Sequence, residues 1–235
     1  AYFQEGDKDK ALGEFAEVQS GTGTYAIPSR YYAAHIQYER GNYETALTGF
    51  RSLESDENFR KVVPFYIAEI LFLQGKYDEL NTYVKPLLED PEGTKRINEI
   101  NRLAGEANYR RGNYAEALPY LQKSAQRASV ERGDRYILGY AYYRTGDCQK
   151  ALAEFNLVAN GTDSIAQLAT YHMADCYLKL NEKNYARTAF KKAYEIGSDV
   201  KVKEDALFNY AKLSYELSFD PYHEAISALR NYLRT

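Results

Sequence analysis

The chain carries a pattern of small and large apolar residues that returns at a nearly constant interval. A small or aliphatic residue recurs every 34 to 37 residues, each time five residues after a glycine or an asparagine. The copies are Ala11, Ala46, Leu80, Ala117, Ala151 and Ala186, with a looser copy at Ala225. A large apolar residue stands four positions after each copy, at Phe15, Phe50, Val84, Leu121, Phe155, Phe190 and Leu229. Such a period indicates a repeat architecture.

The spacing inside each copy predicts two antiparallel helices joined by a short turn. A second small residue stands twelve positions before the first, at Ala34, Ala68, Gly105, Gly139 and Ala174, with Ala211 at a shifted offset in the last copy. Small residues on both helices let the helix axes approach, so that the large residue of one helix fits against the other. The intervening glycine suits a left-handed C-cap, and the Asn or Asp that often follows suits an N-cap. No segment alternates as a strand does, which predicts an all-α chain.

These positions resemble the tetratricopeptide (TPR) repeat, a helix pair of about 34 residues with small, small and aromatic positions in this order. The resemblance covers nearly the whole chain and implies a right-handed superhelical solenoid of tandem helix-turn-helix repeats. It predicts a single solenoid over residues 1–235, with a half repeat over 1–20 and repeats near 29–54, 60–89, 94–127, 131–159, 163–196 and 201–234. The chain has no Trp. The aromatic near the start of the first helix is instead Tyr31, Phe65, Tyr136 or Tyr171, and Arg102 breaks even that pattern.

Composition and charge disfavour nucleic acid and a membrane span. Charged residues of both signs make up 27% of the chain, and the net charge of -3 offers no basic field for a phosphate backbone. The apolar stretch from Phe65 to Leu73 is about half of the roughly 20 residues that a membrane helix needs, and Glu69 interrupts it. With 45% hydrophobic residues the chain can bury a substantial core. The first five residues are typical of a helix end, so we expect a fragment of a longer protein.

Residues that could carry catalysis or hold a metal do not converge in the repeat pattern. His172 and Cys176 share a helix face, but two ligands do not make a zinc site, and a partly buried histidine above a core cysteine is the favoured interpretation. The segment Gly21-Thr22-Gly23 lacks the lysine of a phosphate loop. Asn160-Gly161-Thr162 fits an N-glycosylation site, although a turn is favoured. We therefore expect no enzymatic activity, no cofactor and no metal.

Tyrosine is the residue type that points to a binding surface, with 24 copies in the chain. In the TPR arrangement, positions −3, +1 and +4 from the small residue of the first helix face the concave groove. The resemblance therefore predicts partner-binding residues at Tyr31, Tyr38, Arg102, Glu106, Tyr109, Tyr136, Tyr140, Tyr143, Tyr171 and Asp175. Tyr and Arg often carry interface energy. The alternative is that these tyrosines pack between repeats as part of the core.

The leading functional hypothesis is a scaffold that holds a protein or peptide segment, or a partner helix, in an aromatic concave groove. The carboxylate clamp of co-chaperone TPR domains is absent, because Tyr31, His35, Arg102 and Glu106 occupy its offsets. The alternative is a structural spacer or self-association segment of a longer protein. A third possibility, RNA recognition by related repeats, needs a positive groove. The repeats also resemble bacterial extracytoplasmic TPR proteins of cell-envelope assembly, which favours the periplasm or an outer-membrane association.

Overall fold

The computed structural model of the protein describes residues 2, 6–21, 23–217 and 224–234, without the side chains of Glu224 and Ala225. In these residues all regular structure is helical, with thirteen α-helices and one turn of 3₁₀ helix, Pro91–Gly93. The helices are α1 (Lys8–Val18), α2 (Ala26–Glu39), α3 (Tyr43–Arg51), α4 (Val63–Leu73), α5 (Tyr77–Glu89), α6 (Ile97–Arg110), α7 (Tyr114–Ser124), α8 (Arg132–Thr145), α9 (Cys148–Val158), α10 (Ser164–Lys179), α11 (Lys183–Ile196), α12 (Val200–Leu217) and α13 (Glu224–Tyr232). The all-α prediction is confirmed. The interpretation of the first five residues as a helix end concerns mainly residues 1 and 3–5, which lie outside the described residues. The packing of Ala225 also lies outside them, because its side chain is not described.

Consecutive helices form hairpins that stack on one another. We call α2, α4, α6, α8, α10 and α12 the first helices, and α3, α5, α7, α9, α11 and α13 the second helices. A first helix packs on the second helix that follows it, as in α2 with α3, α8 with α9 and α10 with α11. Second helices also pack on the next first helix, in α3 with α4, α7 with α8, α9 with α10 and α11 with α12. First helices contact one another as well, in the pairs α8–α10 and α10–α12.

A residue with left-handed backbone angles lies at the centre of the turn in the five hairpins from α2–α3 to α10–α11, whose turns the structure describes. Gly41, Gly75, Gly112 and Gly146 have φ between 71° and 90°, and Asn181 takes the same place before α11 with φ of 61°. These angles confirm the predicted left-handed C-caps. The predicted N-caps are confirmed only in part. Asp7 and Asp147 accept hydrogen bonds from the backbone N–H groups of Lys10 and Lys150, whereas Asn42 and Asn113 form no side-chain cap bond.

Small residues do lie where the two helices of a hairpin touch. Ala151 and Phe155 on α9 are fully buried. A Cβ atom added to Gly139 on α8 would lie 2.9 Å from two ring carbons of Phe155, so the ring fills the place that a side chain would take. The predicted packing fails at the last copy, where Leu229 is 40% exposed on α13. There it is Ala228, one residue earlier, that is buried.

The chain divides into two compact units, Ala1–Asn108 and Tyr109–Thr235. The first unit holds α1–α5 and most of α6, and the second holds the end of α6 and α7–α13. The single solenoid over residues 1–235 stays a prediction, and each unit is described by itself below. Within the described residues, none of the helices combines the length and the apolar character needed to cross a membrane.

Candidate protein-binding site on the first helices

In the first unit, Tyr31 and Tyr38 belong to an aromatic group centred on Tyr66 of the next first helix, α4. The Tyr66 ring stacks on Phe50 with centroids 4.9 Å apart, and its centroid lies 5.6 Å from that of Tyr38 and 6.3 Å from that of Tyr31. The Tyr38 hydroxyl donates a hydrogen bond of 2.8 Å to Glu69. Two predicted site residues are thus brought together by a third aromatic that was not predicted.

The chain itself covers part of this surface in the first unit. Phe59, from the loop between α3 and α4, stacks on Tyr31 with centroids 4.7 Å apart. Phe65, expected to face the groove, is only 2% exposed, and the Arg96 guanidinium lies 3.4 Å from its ring centroid. Burial is the main reason why the pKa values of Tyr31 and Tyr38 are raised. Tyr31 and Tyr38 are half-buried, and Phe59 covers one face of Tyr31.

Arg102 and Glu106, also predicted to bind a partner, form an ion pair with each other. They lie four residues apart on α6, with 3.1 Å between Arg102 Nη1 and Glu106 Oε2. Both side chains are half-buried. Their opposite charges therefore compensate each other within one helix.

In the second unit, the predicted tyrosines come together in one group. We call Tyr109, Tyr136, Tyr140, Tyr143 and Tyr171 the tyrosine cluster. Tyr140 lies at its centre, with ring centroids 5.7 Å from Tyr109, 5.7 Å from Tyr143 and 6.1 Å from Tyr136. All five side chains are half-buried, so each keeps part of its surface accessible. The pairs are tilted or edge-to-face, the geometries that aromatic rings prefer.

His172 of α10 joins the members of the tyrosine cluster. Its ring centroid lies 4.9 Å from Tyr140, 5.0 Å from Tyr143 and 5.6 Å from Tyr171. Its Nδ1 is buried and has no hydrogen-bond partner among the described residues. Burial, helped by the charges of Lys179 and Arg144, lowers the pKa of His172 to about 4. The imidazole is therefore neutral at pH 7 and acts as one more ring of the aromatic surface.

Two carboxylates orient phenol groups of the cluster. Tyr143 donates a hydrogen bond of 3.2 Å to Asp175, and Tyr171 donates one to Asp205. Burial and then the Asp175 charge raise the pKa of Tyr143 to about 12. Burial also raises the pKa of Asp175, against the opposing effect of its bond from Tyr143. Because the acceptors come from the following first helices, they hold the phenols in place before any partner arrives.

The two aromatic groups are built in the same way in the two units. Tyr66 stands two residues before Ala68 on α4, and His172 stands two residues before Ala174 on α10. Each ring packs against the preceding hairpin, Tyr66 on Phe50 at 4.9 Å and His172 on Phe155 at 5.9 Å. The predicted offsets missed position −2. The signal for it was an aromatic or histidine ring at the same repeat position in three copies, Tyr32, Tyr66 and His172.

Two cations lie on ring faces at the edge of the tyrosine cluster. The Arg144 guanidinium lies 4.5 Å from the ring centroid of Tyr114, and its Nη1 donates hydrogen bonds of 3.2 Å to the hydroxyls of Tyr114 and Tyr140. Lys179 Nζ lies 3.9 Å from the ring centroid of Tyr143. Both cations stand five residues after the small residue of their own first helix. Helical geometry places positions −2 and +5 on one stripe, and in α10 His172 and Lys179 both contact α8.

Of the residues considered for metal binding, the two cysteines lie in the core and His172 is half-buried. Cys148 and Cys176 are buried free thiols, and burial raises the pKa of Cys176. His172 contacts the tyrosines rather than forming part of a ligand set. Among the residues that the structure describes, no group of three or more His, Cys, Asp or Glu side chains could hold a metal ion. The arrangement is suited to contact and recognition.

Comparisons of the sequence and the structure with known proteins find tetratricopeptide repeat (TPR) proteins. The tetratricopeptide repeat model matches residues 86–131 and 136–200. The structure of YrrB, described as a TPR protein with an unusual peptide-binding site, has a TM-score of 0.65 at 17% identity, covering 76% of this chain and 90% of that one. The C-terminal part of a TPR repeat-containing protein from Cytophaga hutchinsonii gives 0.61 at 17%, over 97% and 96%. A TPR protein from Parabacteroides merdae gives 0.56 at 15%, over 99% and 94%. No curated protein matches in sequence.

The stacked hairpins, their left-handed turn residues and the small-to-large packing define a helical-repeat protein of the class that serves as scaffolds for protein interaction. Two segments of the chain match the tetratricopeptide repeat model, and the fold is that of tetratricopeptide repeat proteins.

Proposed function

We propose that the protein binds a peptide segment or partner helix of another protein through the tyrosine cluster of the second unit. The observation that carries the proposal is the cluster itself, five half-buried tyrosines from three consecutive first helices held in contact around His172. Rings fixed in this way lose little conformational entropy when they bury area against a partner. The match to the tetratricopeptide repeat model, whose proteins are typically interaction scaffolds, supports a binding role rather than catalysis.

The second unit is favoured over the first because it groups five of the predicted tyrosines, whereas in the first unit a loop aromatic covers one of the two predicted tyrosines. Phe59 stacks on Tyr31 and Arg96 covers Phe65 in the first unit. The loop between α9 and α10, which corresponds to the loop that holds Phe59, is Ala159-Asn160-Gly161-Thr162-Asp163 and has no aromatic residue. Tyr31, Tyr38, Arg102 and Glu106 are therefore the less favoured part of the predicted site.

The test begins with a phage-displayed library of random dodecapeptides selected on the protein. An enriched peptide is then titrated against wild type and the double variant Tyr109→Ala with Tyr140→Ala by fluorescence anisotropy. A loss of about 2 kcal/mol or more, roughly 30-fold in Kd, is expected if these rings are hot spots. The control is Tyr185→Ala, which removes a 64% exposed tyrosine from a second helix.

Two further variants separate binding from folding. Tyr109→Phe and Tyr140→Phe keep both rings, so the circular dichroism spectrum and most of the affinity should be retained. An unchanged affinity in the double alanine variant would show that the peptide binds at another surface. Loss of the helical spectrum in the alanine variant would show that the tyrosines are needed for packing, and full affinity in any alanine variant that stays helical would show that they do not bind.

A self-association role is the second candidate, because large apolar side chains are exposed on the last helix pair. Phe208 and Tyr215 on α12 are 45% and 59% exposed, and Leu233 after α13 is 81% exposed. Scattered exposed apolar residues are common, but several on one helix pair are typical of an interface. Sedimentation velocity over a hundredfold concentration range would show a rising sedimentation coefficient if copies associate, and a constant one if they do not.

A further inference from the structure

We propose that the segment bound by the tyrosine cluster is acidic, with Asp or Glu side chains that pair with Arg144 and Lys179. This inference rests on the proposed function and names the chemistry of its partner. The structural basis is that two cations lie directly on the cluster, at 4.5 Å from the Tyr114 centroid and 3.9 Å from the Tyr143 centroid.

Neither cation forms an ion pair with a carboxylate among the described residues. The contacts of Arg144 are the hydroxyls and ring faces of Tyr114 and Tyr140, and the contact of Lys179 is the ring face of Tyr143. Asp175 interacts electrostatically with Lys179 and accepts a hydrogen bond from Tyr143. In the first unit, by contrast, Arg40 at the end of α2 forms an ion pair with Asp9.

Arg144 is arranged to receive a carboxylate. One nitrogen, Nη1, is occupied by the hydroxyls of Tyr114 and Tyr140, and a guanidinium has further N–H donors in the same plane. The side chain is exposed, so a partner can reach those donors. The tyrosine hydroxyls fix the plane of the guanidinium, and a fixed plane favours recognition of a carboxylate.

The charges of the two cations act within the cluster, because Lys179 and Arg144 both contribute to the lowered pKa of His172, after burial. The carboxylates of Asp175 and Asp205 accept hydrogen bonds from Tyr143 and Tyr171, and no described carboxylate forms an ion pair with either cation. Charge complementarity at these two cations therefore favours acidic groups on a partner. Tyrosine surface continues on both sides of the cations, at Tyr109 and Tyr171, so we assign the carboxylates to side chains within a segment and not to a chain terminus.

The probe is the same random dodecapeptide library, displayed on phage and selected at low salt on wild type. We expect enriched peptides to combine Asp or Glu with apolar residues. A synthetic enriched peptide should bind the double variant Arg144→Gln with Lys179→Gln at least tenfold more weakly than wild type, and the difference should shrink in 0.5 M salt. The matched control, Lys123→Gln with Lys201→Gln, removes the same charge from exposed positions and should change the Kd less than twofold.

A double-mutant cycle distinguishes pairing from a general charge effect. Changing the acidic residues of the peptide to Gln or Asn should weaken binding to wild type but not further weaken binding to the double variant. Lys179→Gln alone, which leaves the Arg144 hydrogen bonds in place, provides the same comparison if the double variant is less helical. Amidation of the peptide C-terminus should have no effect.

The outcomes separate the two proposals. Enriched peptides without acidic residues would overturn the proposal of an acidic partner, and so would an equal affinity for wild type and for Arg144→Gln with Lys179→Gln. In either case, weaker binding by Tyr109→Ala with Tyr140→Ala would still support the tyrosine cluster as the binding site. A loss that appears only on C-terminal amidation would also overturn it, because the carboxylate would then belong to a terminus. No enrichment of any peptide would count against both.

Discussion

Replacement of Gly139 by Ala tests the contact between the two helices of a hairpin most directly. The added Cβ would lie 2.9 Å from Cδ1 and Cε1 of Phe155 and 3.2 Å from Cβ of Glu154. Phe155 is fully buried, so its ring cannot move away without displacing its neighbours. Overpacking of this kind costs roughly 1–3 kcal/mol.

A second effect of the same substitution acts in the opposite direction. Alanine in place of glycine favours a helix by roughly 0.5–1 kcal/mol. Gly133, on the same helix α8, has no atom within 4 Å of an added Cβ, so Gly133→Ala receives only this gain. The difference between the two variants should therefore be about 1–3 kcal/mol, with Gly139→Ala the less stable. At roughly 2–4 °C per kcal/mol for a chain of this size, thermal unfolding can resolve it.

The assay is circular dichroism at 222 nm during urea and thermal unfolding of both variants and wild type. Gly133→Ala should unfold at the wild-type midpoint or slightly above it, and Gly139→Ala should unfold below both. Equal midpoints for the two variants would refute the reasoning, because the steric contact is the only difference claimed between them.

Three further predictions use the same measurements. Ala151→Leu, at a fully buried position of α9, should lower the urea midpoint, whereas Ala153→Leu, exposed on the same helix, should stay within about 0.5 kcal/mol of wild type; similar losses would contradict the repeat phase. Gly49→Ala should destabilise strongly because its Cβ would lie 2.7 Å from that of Ala34, and a wild-type midpoint would show that α2 and α3 can separate freely. The pKa of His172 is lowered to about 4, so only the unfolded chain gains this proton between about pH 6.5 and 4, and stability should fall as pH falls through that window, by up to about 3 kcal/mol. His172→Gln should remove that part of the pH dependence, and parallel curves for the variant and wild type would contradict it.

Several parts of the fold could be predicted from the sequence because they depend on spacing along one helix pair. The recurring Ala and Gly positions, with Phe four residues later, define which faces of two adjacent helices touch. The glycines with positive φ mark the turn between those helices, and even Asn181 could be recognised by its place in the period. These features depend only on residues within one helix pair, so the periodic pattern of the sequence is enough to predict them.

The candidate site depends on contacts between neighbouring hairpins, and these were decided by the tertiary structure. Helical geometry placed Tyr136, Tyr140 and Tyr143 on one face, but it could not show that His172 of α10 lies among them. Nor could it show that Phe59, in a loop without periodicity, covers Tyr31. The rotation and spacing of one hairpin against the next set these contacts, and they follow from the packing of all the side chains between hairpins rather than from any repeated position. The sequence by itself therefore determined the hairpins and their tyrosine-rich faces, whereas only the tertiary structure decided which tyrosines meet, which are covered, and where Arg144 and Lys179 lie upon them.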